Sequence, residues 1–134
     1  MAFKLVESTT EPVLRKFYMT DSEGATVGQS LYFASGRLTT CVGAGEVAGI
    51  ATHSVTAGTD QTCVIILVEP GQVWEVAYSG TPDVAFVVGK DTADIASGGL
   101  LLNAADVTGG AWAIVEKDTT NTKCKVICKN RQLS

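Results

Sequence analysis

The chain has 134 residues, a formal net charge of −4 and an apolar fraction of 46%. That length fits one domain, and a chain of this size buries roughly two-thirds of its unfolded surface, enough for a core without metal or disulfide staples. The apolar fraction excludes wholesale disorder. The acidic balance argues against a general nucleic-acid binder, and no run approaches the ~20 apolar residues of a membrane-spanning helix.

Fourteen glycines and many Thr and Val residues predict an all-β chain. The prolines, Pro12, Pro70 and Pro82, fall where strands would begin or end. The expected architecture is a small antiparallel β-barrel or sandwich of short strands, with an N-terminal extended arm and at most one short helix. Residues 1–24 are taken as the arm and 25–134 as the β-barrel domain. The opening Met-Ala-Phe-Lys-Leu-Val-Glu lacks an apolar run long enough for a signal peptide, so synthesis in the cytoplasm is expected.

In the leading segment, Phe3, Leu5 and Val6 form an apolar cluster, Thr9 to Pro12 interrupts it, and Val13 to Met19 follows. Two placements are open: an arm crossing to a neighbouring molecule, or a first strand packed on its own barrel. From Gly28 to Ala51 the chain reads as short strands broken by glycines. Leu31-Tyr32-Phe33 and Arg37 to Val42 flank a turn at Ala34-Ser35-Gly36, and Gly43, Gly45 and Gly49 then re-aim the chain. Thr62 to Val68, the most hydrophobic run, reads as a core strand. Gln72 to Tyr78 alternates, with Trp74, Val76 and Tyr78 on one face, and a hairpin through Glu69-Pro70-Gly71 is expected. Val84 to Val88 reads as another strand, and Asp91 to Ser97 as the best helix candidate. Leu100 to Asp106 fits either a strand or a helical turn. The clearest element is the hairpin 111–129, whose last strand turns Cys124, Val126 and Cys128 one way and Lys123, Lys125, Ile127 and Lys129 the other.

No Lys or Arg occurs between Leu38 and Gly89, whereas the end of the chain carries Lys117, Lys123, Lys125, Lys129 and Arg131. That basic strand is either a solvated face or a docking face for an acidic partner. Cys124 and Cys128 on one strand would lie roughly 13 Å apart, too far for a disulfide. Buried free thiols are expected for them and for Cys41 and Cys63, with no metal site. The match Gly43-Ala-Gly45-Glu-Val-Ala48 lacks the helix a dinucleotide fingerprint needs. His53, the lone histidine, has no carboxylate near it in sequence, and the pairs Asp21/Glu23 and Asp91/Asp94 sit in turn-like contexts. Trp74, Trp112, Tyr78 and Phe86 read as core or subunit contact. Nothing points to an enzyme or a cofactor.

Residues Glu11 to Ala57 resemble the opening of small phage head-decoration (cement) proteins. The likeness is carried by Gly28, Leu31, Phe33, Gly36 and Leu38 in a Gly-x-x-Leu-x-Phe-x-x-Gly-x-Leu corner, and by Gly-x-Val-Ala-Gly-Ile-Ala at Gly45 to Ala51. The hairpin 111–129 fits the same barrel type, and residues 79–108 have no counterpart. The resemblance implies a β-barrel that trimerises on the outer surface of an icosahedral capsid, binds the major capsid protein and stabilises the shell against genome pressure. It also implies residence in the virion, without nucleic-acid or membrane contact. Phe3, Lys4, Leu5 and Val6 in the arm and Lys123, Lys125 and Lys129 in the last strand are the capsid-binding candidates. The rival expectation is a carbohydrate- or ligand-binding β-module on a virion surface, with Trp74, Trp112 or Tyr78 as an exposed platform.

Overall fold

Among the described residues, eleven short strands make two sheets: β1 Lys4–Ser8, β2 Leu14–Tyr18, β3 Ser30–Ala34, β4 Arg37–Thr40, β5 Gly49–Ala51, β6 Thr62–Leu67, β7 Gln72–Ser79, β8 Asp94–Ala96, β9 Leu101–Asn103, β10 Trp112–Asp118 and β11 Lys123–Cys128. The structure, a computed structural model, describes residues 2–41, 45–90 and 93–133. Val42, Gly43 and Asp91, which figure in the glycine match, the second run and one carboxylate pair, lie outside the described residues. The larger sheet runs β10-β11-β7-β9-β8, with β1 on the first half of β7, and the smaller runs β2-β6-β5-β3-β4. The architecture is a sandwich and not a closed barrel. Among the described residues the one helical element is a single 3-10 turn at Ser97–Gly99.

The smaller sheet rolls up on itself. Its β3–β4 turn places both Ser35 and Gly36 at positive φ, 51° and 80°, the two-residue turn whose twist suits a hairpin. The sheet's ends then meet where Met19 bridges Leu38 and the Thr20 N–H donates to the Leu38 carbonyl at 2.8 Å. Met19, Leu31, Leu38, Ala51, Cys63 and Ile65 fill the roll. The other face of the same strands presents Ile50, Tyr32 and Ile66 to the core shared with the larger sheet, built on Trp74, Val76, Phe86, Leu102, Trp112 and Val126. The strands Ser30–Ala34 and Gly49–Ala51 are therefore buried on two sides at their centres, which explains why this stretch is small, apolar and free of charge except at its turn.

The turn at Glu69-Pro70-Gly71 does not make a hairpin. β6 already has β2 on one side and β5 on the other, and β7 lies between β11 and the pair β1 and β9. Neither strand has an edge left for the other, so the connection crosses from sheet to sheet. Gln72 fixes the crossing from within: its buried amide accepts the Glu69 N–H at 2.9 Å and donates to the Leu67 carbonyl at 3.1 Å. Gly71 takes φ +85° with Thr9 packed against it.

Two further expectations fail in the unmatched region. Val84 to Val88 is a loop, not a strand, because only Phe86 is buried, with the adjacent Ala85 packed half-buried beside the core, and the backbone closes on itself through the Phe86 N–H to the Asp83 carbonyl. The helix expected over Asp91–Ser97 is replaced by β8, since Ile95 pairs with Leu102 in the core and the 3-10 turn at Ser97–Gly99 follows at once. A segment this short cannot offset helix nucleation. Leu101–Asn103 settles as a strand, parallel to β7 at Tyr78–Leu102.

The first 24 residues contribute one strand to each sheet. β1 lies antiparallel on β7, with a register shift between Leu5 and Glu7, and β2 lies antiparallel on β6. Of the two placements open for the leading segment, the molecule's own sheet is the one observed.

Candidate functional site

The register of the larger sheet collects the charged candidates on one solvent-facing surface. Lys4 on β1 stands opposite Glu75 on β7; Glu75 stands opposite Lys125 on β11, and Lys125 opposite Glu116 on β10. The row therefore alternates in sign across four strands. Lys123 Nζ reaches Glu75 Oε1 at 3.5 Å, and Lys125 Nζ reaches Glu116 Oε2 at 3.7 Å. Such exposed pairs contribute about 0–1 kcal/mol each. They shape the face more than they hold it together.

The same period-two alternation buries the other side. Trp74, Val76 and Tyr78 on β7 and Cys124, Val126 and Cys128 on β11 point into the core. The face bears a shallow hollow of about 190 Å³ between Glu75, Glu116, Asp118, Lys123 and Lys125. At its rim the Asn121 side-chain amide and backbone N–H hold the Asp118 carboxyl below the usual carboxylate range, and Lys123 adds to that effect.

The structure divides the candidates. Lys4 and Lys129 are exposed, while Lys123 and Lys125 are half-buried along their stems. Val6 is exposed at the strand edge and Leu5 packs half-buried against the core. Phe3 is only 4% exposed and stacks on Trp112 with ring centroids 4.6 Å apart. An expected anchor for a partner's pocket is instead a core residue. The surface around the last strand is not uniformly positive, since Glu75, Glu116 and Asp118 interleave with its lysines.

Other expected chemistry resolves into structure. His53 is exposed, accepts the Val64 N–H on Nε2 at 3.1 Å and faces the Ser54 carbonyl with Nδ1, so its ring staples the 52–54 loop to β6. Asp21 and Asp60 both bind Arg37, at 3.2 and 2.8 Å, and Glu23 accepts from the Thr39 hydroxyl and the Thr40 N–H. These carboxylates close the mouth of the rolled sheet. All four cysteines are free and buried, and burial pushes the thiols of Cys41, Cys124 and Cys128 up to about 12 and that of Cys63 to about 11. Thiols so raised are poor nucleophiles. Among the described residues no group of three or more His, Cys, Asp or Glu side chains is placed to hold a metal. Trp74, Trp112 and Tyr78 are 1%, 0% and 7% exposed, so no aromatic platform faces solvent at those rings.

Sequence reasoning missed two exposed apolar surfaces. One is β2, an edge strand that leaves Leu14 and Tyr18 more than half exposed beside Arg15 and Lys16. The other is the loop carrying Val84, Val87 and Val88. The loop had a signal: Pro82-Asp83 on one side and Gly89 on the other, with no polar alternation between them. No protein-family model matches the chain, and a search of curated proteins finds none similar to it.

Proposed function

We propose that this chain is a capsid decoration protein, which binds the outer surface of an icosahedral phage head as a trimer and stabilises the shell against genome pressure. Its partner is the major capsid protein, its place is the virion exterior after synthesis in the host cytoplasm, and its action is physical and not enzymatic. The observation that carries the reading is the sign-alternating face Lys4–Glu75–Lys125–Glu116, assembled from the first and last strands of a sandwich rigidly packed beneath it. The glycine corner at Gly28 to Ala51 supports it as well.

A surface of this kind recognises another surface. Alternating charges fix register and reject wrong partners more than they add affinity, and three copies on one trimer raise avidity without any tight single contact. β1 and β2 add strand edges to which an extended segment of the shell can pair. Each bridge then adds contacts that internal pressure must break along with those of the shell itself.

The test uses heads of the virus whose genome encodes the chain, stripped of this protein, and cosedimentation of the purified chain with them. Binding is expected, weakening as salt rises. Replacing Lys4→Gln and Lys129→Gln together, both exposed and outside the observed ion pairs, is expected to weaken it several-fold without moving the melting temperature. Equal binding by wild type and double variant would remove the charged face from the account.

A further inference from the structure

We propose that the loop 83–90 is the surface through which one copy of this chain binds another. Phe86 anchors the loop: it is fully buried, with the Tyr78 ring 4.9 Å away. Backbone bonds fix the rest. The Asp83 N–H donates to the Ala104 carbonyl at 2.9 Å, the Gly89 N–H to Ile114 at 2.8 Å and the Lys90 N–H to Val87 at 3.0 Å. The Lys117 ammonium donates to the Phe86 carbonyl at 2.8 Å.

On this fixed backbone the valines face outward. Val84 is 96% exposed, Val88 59% and Val87 49%. The bonds between Gly89, Lys90 and Ile114 bring the exposed Val115 of β10 to the adjoining edge. Apolar side chains concentrated in this way mark a contact surface. Because the loop is already ordered, a partner meets little entropy cost in docking there.

Charge selects the occupant. The β2 patch, Leu14 and Tyr18, carries Arg15 and Lys16 and suits an acidic partner. The valine patch is balanced, with Asp83 at one end against Lys90 at the other, and no charged residue lies between Val84 and Gly89. Two copies, each of net charge −4, can meet there without adding like charge. Asp83 opens the loop and Lys90 closes it, so a rotated neighbour sets the acid of one copy against the base of the next. Such a head-to-tail contact makes a ring when the rotation between neighbours closes, and an open filament when it does not. The ring of three rests on the decoration reading; the contact itself does not.

Light scattering on the full chain, without any viral particle, tests this. The wild type is expected at three times 14.0 kDa. The pair Val84→Asp and Val88→Asp is expected to fall to 14.0 kDa with unchanged circular dichroism. The near-isosteric pair Val84→Thr and Val88→Thr should shift the assembly to higher concentration, whereas Leu14→Asp should keep the wild-type mass. A monomeric wild type, an aspartate pair of wild-type mass, or dissociation by Leu14→Asp alone would overturn the assignment. So would an aspartate pair that still assembles and loses only binding to heads, which would give the loop to the shell. Because no head is present in the mass measurement, failure here is distinguishable from failure of the decoration reading.

Discussion

Asp94 and Asp106 are two carboxyls held together beneath the short strand β8. Asp94 is 5% exposed, its Oδ1 has no hydrogen-bond partner, and its backbone N–H donates to the Asp106 carbonyl at 3.1 Å. Burial, then the Asp106 charge and the bond between the two carboxyls, push the Asp94 carboxyl up to about 6. The Thr108 N–H and hydroxyl hold Asp106 below the usual range, so the shared proton sits on Asp94. The folded state then binds more protons than the unfolded chain between the ordinary carboxylate value and about 6. Stability contributed by this pair is present below that window and falls as pH rises through it. Asp106 and Asp118 act in the opposite direction, losing their contribution as pH falls through their lowered values. Replacing Asp94→Asn, whose amide also donates to Asp106, is expected to leave the melting temperature little changed near about pH 4 and to raise it near about pH 8. Parallel melting curves for the two proteins at both pH values would contradict this.

Among the elements, those whose pattern is local were legible. The alternation of Gln72 to Tyr78 and of Lys123 to Cys128 placed every side chain on the observed face, because period two needs no knowledge of the partner strand. Partner choice was not legible. The short turn at Glu69–Gly71 looks like a hairpin from within, and only the occupancy of both edges of β6 by β2 and β5 sends the chain to the other sheet. Nor can an apolar run report whether one residue or every second one turns inward, which is why the loop around Phe86 passed for a strand. Three of the seven capsid-binding candidates, Lys4, Lys123 and Lys125, came to one face because β7 draws the first and last strands together, while Lys129 is exposed just past the end of β11. Phe3 went inside. Replacing Phe3→Ala removes its stack on Trp112 and is expected to cost about 3–5 kcal/mol, read as a lower urea midpoint. An unchanged midpoint would mean that β1 is only loosely held. For the same reason, deleting residues 2–10 would remove core as well as surface and could not isolate a docking role.

At the scale of the molecule, the surfaces differ in character. The larger sheet offers alternating charge, β2 offers an apolar edge with basic neighbours, and the loop 83–90 offers a neutral apolar tip. The decoration role proposed above calls for such a division: a self-contact free of net charge, and a shell contact specific enough to select one lattice site. Between them lies a core in which both tryptophans, the buried phenylalanines and the free thiols are committed to packing. The most direct test of the proposed decoration role is the protein composition of purified particles of the virus that this role requires to encode the chain, measured by quantitative mass spectrometry before and after mild stripping. Many copies of this chain per head are expected, in fixed ratio to the major capsid protein, lost on stripping together with resistance to heat. Particles that lack the chain, or that keep their heat resistance once it is removed, would contradict it.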